Sequence, residues 1–193
     1  MEKTLIVAEK DSLGAQIAKA LGIGKKISDN GVSYYEGEAV IVAMASGHLV
    51  QRVPAEKSSE VPYLPHSYRL EPIKTKLKKL TLIKKLADRK DVTEICNACD
   101  PGKEGELIGW LIYSYTGSRK RYTRLWADTQ TSEAIRKDFA ERKPSSEYKN
   151  ILNAALCRHD ADFKLGINST RCLQQLMNML NGGGRMPTAG RVR

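Results

Sequence analysis

Three short runs of apolar, β-favouring residues, Thr4-Leu5-Ile6-Val7-Ala8, Val92 to Ala98 and Tyr122 to Ala127, are each followed by a stretch with helical spacing. Short apolar runs without polar alternation suit strands covered on both faces, as parallel strands are, and the helices between them serve as crossovers. Repeated strand and helix units of this kind predict an α/β fold on a mainly parallel sheet flanked by helices. After the first run, Leu13, Ile17, Ala18 and Leu21 repeat at helical spacing, with Ser12 as the expected N-cap and Gly22 as the stop. Tyr34 to Ala45 reads as a hairpin-like pair turning at Glu36-Gly37-Glu38, with Val40 to Met44 as its apolar strand. Gln51 to Pro72 holds four of the seven prolines and is expected to be an extended loop or lid.

Further on, Ile73, Leu77, Leu80, Ile83, Leu86 and Ala87 form one stripe of a helix whose other faces are crowded with lysines. A solvated face accounts for those lysines as well as a contact with DNA does. Glu104 to Tyr115 and Thr131 to Arg142 are the next helices. Beyond Lys143-Pro144 the pattern changes: Ser146 to Leu180 is helical, with a break expected near Gly166 and an end at Gly182-Gly183-Gly184. The predicted organisation is therefore an α/β domain over 1–144 and the helical start of a second domain over 145–193.

Charge narrows the list of partners. The chain has 32 Lys and Arg against 22 Asp and Glu, and the +10 excess is uneven. Residues 1–70 carry 8 basic and 8 acidic side chains, whereas 24 basic and 14 acidic ones follow from Glu71 onward. A localised basic surface points to a polyanion, nucleic acid before an anionic membrane. No apolar run is long enough for a signal peptide or a membrane span, so no membrane partner is expected. Cys96, Cys99, Cys157 and Cys172 read as reduced thiols; Cys96-Asn-Ala-Cys99 has no second CxxC or nearby His pair to complete a zinc site.

Ligands of open parallel sheets bind at the carboxyl ends of the strands. The first strand runs there into Glu9-Lys10-Asp11-Ser12, and the Val92–Ala98 strand into Asp100-Pro101-Gly102-Lys103-Glu104-Gly105-Glu106. Pro101-Gly102 suits the centre of a type II turn, which would bring Asp100 back toward Glu104. Carboxylates from two strand ends, each with a lysine alongside, suit Mg²⁺ and a phosphate. First-turn acids that favour a helix dipole account for Glu9, Glu104 and Glu106 equally well. Walker, GxGxxG, HExxH and GxSxG motifs are absent from the sequence, which leaves nucleotide-binding, zincin and serine-hydrolase readings without an anchor.

Taken in order, Leu5 to Leu13, Ser46-Gly47-His48-Leu49, Asp100 to Ile108, Arg124-Leu125-Trp126, Thr131 to Ile135, the Ala155–Arg171 helix and Gly190-Arg191-Val192 resemble the Toprim domain of type IA DNA topoisomerases, the topoisomerase III branch most closely. The resemblance covers essentially the whole chain. It implies a Rossmann-like Toprim sheet, then the first helices of a domain that grips single-stranded DNA, in a cytoplasmic, nucleoid-associated protein. It also implies ATP-independent cleavage of one DNA strand by a tyrosine, strand passage and religation. By motif position, Glu9 resembles the catalytic glutamate near the leaving 3′ oxygen and Lys10 the lysine that steadies the scissile phosphate. Asp100 and Glu104 match the outer acids of a DxDxE Mg²⁺ motif. His48, Lys103, Arg158, Asp162 and Arg191 fall on its DNA-binding side.

The sequence departs from that pattern in two places. Gly102 stands where the middle aspartate belongs, with Lys103 in place of arginine, so Glu106 or water is expected to complete the metal set. Asp11 replaces a proline and adds a carboxylate beside Glu9. The nucleophilic tyrosine of the family lies in a later domain, and none of the eight tyrosines here sits in its motif. The chain is thus expected to be an N-terminal portion, unable to relax DNA without the tyrosine-bearing remainder. A different Toprim enzyme, such as a primase or metal-dependent nuclease, and a non-catalytic single-strand-binding module are the competing readings.

Overall fold

The computed structural model describes residues 2–180 and 188–189, and Arg191 lies outside them. Among the described residues the chain divides into two compact units. The first comprises residues up to Gln51 and Leu70–Asn153; the second comprises Arg52–Arg69 and the described residues from Ala154 onward.

The first unit is built on a seven-stranded sheet in the order β2-β3-β4-β1-β7-β8-β9. Its centre is parallel: β1 (Lys3–Ala8) lies between β4 (Val40–Met44) and β7 (Val92–Ala98), and β8 (Arg121–Arg124) follows β7. The edges are antiparallel, with β2 (Lys26–Asp29) and β3 (Val32–Glu36) on one side and the two-residue β9 (Lys143–Pro144) on the other. The strand runs named by apolar content are present, Val92–Ala98 to the residue. β2 was not foreseen, because its Lys-Ile-Ser-Asp sequence and half-exposed pattern look like loop.

β1 is apolar because both its faces are covered. Ile6 and Ala8 pack with Leu13, Ile17 and Ala18 of α1 (Asp11–Ala20) and Ile135 of α4 (Ser132–Ala140). The alternate residues Leu5 and Val7 are buried as well, on the opposite face by the strand period of two. That side carries α2 (Leu77–Ala87), which contacts β1 and β7, and α3 (Lys103–Thr116), which packs on α2 and β7. Leu80, Ile83, Leu86 and Ala87 of the α2 stripe are buried, whereas Leu77 is 48% exposed.

Three expectations need correction. The N-cap of α1 is Lys10 rather than Ser12, and no side chain caps that end. The Gln51–Pro72 stretch is more than a loop, since β5 (Val50–Pro54) and β6 (Tyr68–Pro72) pair into a two-stranded sheet. α5 (Lys149–Met179) runs unbroken for 31 residues through Gly166, because one interior glycine costs only about 1 kcal/mol relative to alanine. In the second unit, Asn168 of α5 accepts from the Tyr63 N–H at 2.6 Å and donates to its carbonyl at 2.9 Å. Arg52 pairs with Asp160 at 2.6 Å, and Tyr63 and Tyr68 meet Phe163 edge to face. Cys96 and Cys99 are buried and Cys157 and Cys172 exposed, all four as free thiols. Burial pushes the Cys96 thiol up to about 11.

Candidate functional site

In the chain, β1 leads toward β4 on one side of the sheet, and β7 leads toward β8 on the other. Their carboxyl ends therefore border the crevice where the winding reverses, the position in which doubly wound sheets hold ligands. Glu9 and Lys10 leave β1 at this point, and Asp100 follows β7. The Asp100 N–H donates to Glu9 Oε2 at 3.3 Å. Lys10 forms a hydrogen-bonded ion pair with the Asp100 carboxylate, which holds the ammonium pKa above its ordinary value.

A third loop joins from β4. The Ala45 N–H donates to the Ala8 carbonyl at 2.9 Å and the Gly47 N–H to the Glu9 carbonyl at 3.1 Å, so the loop extends the β1–β4 pairing past both strands. Ser46, at φ 56°, takes the left-handed conformation that non-glycine residues rarely adopt. Lys76 donates to its carbonyl at 2.6 Å, and its hydroxyl donates to Asp11 at 2.9 Å. Lys79 of α2 bonds the Ser46 hydroxyl and lies 3.2 Å from the Asp11 carboxylate. Burial opposes ionisation of Asp11, but the Ser46 and Lys79 bonds outweigh it and hold the carboxyl below its ordinary pKa. So anchored, the loop presents His48, whose Nε2 lies 2.7 Å from Glu104 Oε1.

The Asp100–Glu106 turn is not the expected type II turn. Gly102 has φ 129° and ψ −178° and caps α3, backbone open essentially to glycine alone. Gly105 is required for a different reason: a Cβ there would lie 2.0 Å from the Asp100 carbonyl oxygen. Beneath the turn, Arg124 is fully buried. Its guanidinium donates to Glu106 at 3.0 Å, to the Asn97 carbonyl at 3.0 Å and to the Asp100 carbonyl at 3.0 Å. Asn97, also buried, accepts the Cys99 N–H at 3.0 Å.

Glu9, Lys10, Asp100, His48 and Glu104 are thus linked across one crevice. Glu106 is not among them: it is 1% exposed and tied to Arg124. Burial raises its pKa and Arg124 opposes the rise. Lys103 is exposed on the first turn of α3. In the second unit, Arg158 and Asp162 stand 4.0 Å apart on α5, about half exposed. Sequence reasoning missed Arg124, Asn97 and Lys79 as organisers of the site. A buried arginine has no local signature, and Lys79 is one of many lysines on α2.

The fit to Mg²⁺ fails on the donor set. Among the described residues no three His, Cys, Asp or Glu side chains come together so as to hold an ion. Asp100 is engaged by Lys10, Glu104 by His48 and Asp11 by Lys79.

Comparison with known proteins bears on this arrangement. A profile of the Toprim domain matches residues 4–154. DNA topoisomerase 3 of Bacillus subtilis (strain 168) is 36% identical over 197 residues, covering 97% of this chain and 26% of that protein. DNA topoisomerase 3 of Staphylococcus epidermidis is 36% identical over 195 residues, covering 96% and 27%. The chain therefore spans about a quarter of the length of these relatives. In fold it is similar to full-length topoisomerase I from Thermotoga maritima, with a TM-score of 0.61 at 19% identity over 96% of this chain and 27% of that one. None of the helices among the described residues is long and apolar enough to cross a membrane.

Proposed function

The chain belongs to the Toprim family and is homologous over nearly its whole length to the N-terminal quarter of bacterial DNA topoisomerase 3; from that premise we propose that it supplies the acid–base and phosphate-holding groups of a type IA DNA topoisomerase. The observation that carries the reading is the joining of Glu9, Lys10 and Asp100 at the crevice between β1 and β7. In the proposed reaction a tyrosine of a further domain gives up its hydroxyl proton to solvent and attacks the scissile phosphorus through the phenolic oxygen. The bond to the 3′ oxygen breaks, and that oxygen takes a proton from Glu9; religation runs the step backward, with Glu9 as base. The Asp100 N–H occupies Oε2 of Glu9, leaving Oε1 for the leaving oxygen.

Lys10 holds the phosphate. Its side chain is 59% exposed, and an ammonium has three donors, so it can keep Asp100 and still donate to a phosphoryl oxygen as charge develops. Contacts with single-stranded DNA are assigned separately to His48 and Lys103 of the first unit and to Arg158 and Asp162 of the second, and also to Arg191, with residues 1–144 as the Toprim domain and 145–193 as the start of the strand-gripping domain. DNA as substrate argues for a cytoplasmic, nucleoid-associated place of action. No step is assigned to Mg²⁺.

The test is a chimera in which this chain replaces the matching quarter of Bacillus subtilis DNA topoisomerase 3. We expect ATP-independent relaxation of negatively supercoiled plasmid, cut by about 100-fold or more in Glu9→Gln, the scale of general acid–base contributions. A chimera that binds single strands yet leaves the plasmid supercoiled would overturn the proposal. Nicked plasmid with no protein on either end would turn it toward a hydrolytic Toprim enzyme.

A further inference from the structure

The carboxylates around the crevice are Glu9, Asp11, Asp100 and Glu104, and three of the four are engaged by basic side chains of the chain itself. Lys10 takes Asp100, Lys79 takes Asp11, and His48 takes Glu104 at 2.7 Å. The two further acids near the position of the middle aspartate of the family motif are both committed elsewhere. Glu106 is buried against Arg124, and Asp11 is drawn toward α2 by Lys79 and Ser46. Gly102 itself has open space where a Cβ would stand. Its backbone, not crowding, reserves the position for glycine, so an aspartate there would be strained before it reached an ion.

We infer that in this chain Lys10 and His48 occupy the role a divalent cation would take between these loops, so that the crevice assembles and binds DNA without Mg²⁺. The reason is electrostatic. Mg²⁺ requires near-octahedral oxygen ligands and gives up its water reluctantly. To bind here it must first displace an ammonium from Asp100, which then repels it, and must break the His48–Glu104 bond. The ion-binding part of the inference rests on the geometry of the loops alone, and its DNA-binding part rests on the proposed function.

Mn²⁺ serves as the probe, with the free-ion signal followed by electron paramagnetic resonance as the 193-residue chain is added. We expect binding weaker than about 1 mM, at or beyond the weak end of carboxylate cation sites. Lys10→Gln, which removes the competing ammonium from an exposed position, should tighten Mn²⁺ about tenfold. Single-stranded oligonucleotide binding by the unaltered chain, read by fluorescence anisotropy at constant ionic strength, should be the same in EDTA and in millimolar Mg²⁺. Micromolar Mn²⁺ binding by the unaltered chain that is lost in Asp100→Asn would overturn the inference, as would a Lys10→Gln variant no tighter than its parent. DNA binding that requires Mg²⁺ would overturn it too. The resonance signal reads the ion alone, so a failed chimera and a failed Mn²⁺ result are separable.

Discussion

Gly105 and Arg124 fix the Asp100 loop from opposite sides, and each gives a sharp expectation. Gly105→Ala would drive a methyl into the Asp100 carbonyl, a backbone atom that cannot swing aside. It should cost at least the ~1–3 kcal/mol of ordinary overpacking, measured by urea unfolding. Arg124→Met strands Glu106 without its partner in the interior and should cost about 3–5 kcal/mol. The double variant Arg124→Met, Glu106→Gln should recover a large part of that loss; a double variant no more stable than the single would show that the other Arg124 bonds, to the Asn97, Asp100 and Leu125 carbonyls, dominate. At this scale the sequence was informative about where the acids and lysines lie in the chain and silent about which of them pair. Lys10 and Asp100 are ninety positions apart, and nothing local in either segment specifies that one will neutralise the other. Gly102 was legible as an exception to a motif, but its φ of 129° was not.

At the level of elements, apolar runs reported the covered strands well because burial on both faces leaves little room for polar residues. The same reasoning failed at the sheet margin and in the proline-rich stretch, where β2, β5 and β6 are held by pairing rather than by a hydrophobic face. α2 shows the mixture: its stripe was evident, while the destinations of its lysines were not. Lys85 reaches Asp29 of β2 at 2.6 Å and Lys84 the Thr116 carbonyl at 3.0 Å. Past the end of α2, Arg89 bonds both Asp91 and Glu36 of β3. The Arg89 guanidinium is the largest influence on both acids, lowering Glu36 and bringing Asp91 to about 2. Both carboxyls therefore ionise more readily folded than unfolded, where they titrate near ~4. Their contribution is fully present above that pH and is lost as pH falls through the lowered folded-state values, about 2 for Asp91. Thermal unfolding followed by circular dichroism should show a lower Tm across this window, and Arg89→Ala should flatten the slope.

Across the molecule, the charge excess from Glu71 onward predicts that the single-stranded DNA proposed as its partner is held electrostatically. Anisotropy titrations should show log affinity falling linearly with log salt. An affinity unchanged between low and high salt would contradict that expectation. The sheet order carries a consequence for how the protein is made. β1 leaves the ribosome before both of the strands that flank it, and its β7 flank stays vacant until Val92–Ala98 has been synthesised. A nascent chain shorter than that holds a hydrophobic strand with an open edge, a surface prone to misassembly. The event that closes the edge is the same one that carries Asp100 to Glu9 and Lys10, so a molecule that has escaped aggregation during synthesis has already built its crevice.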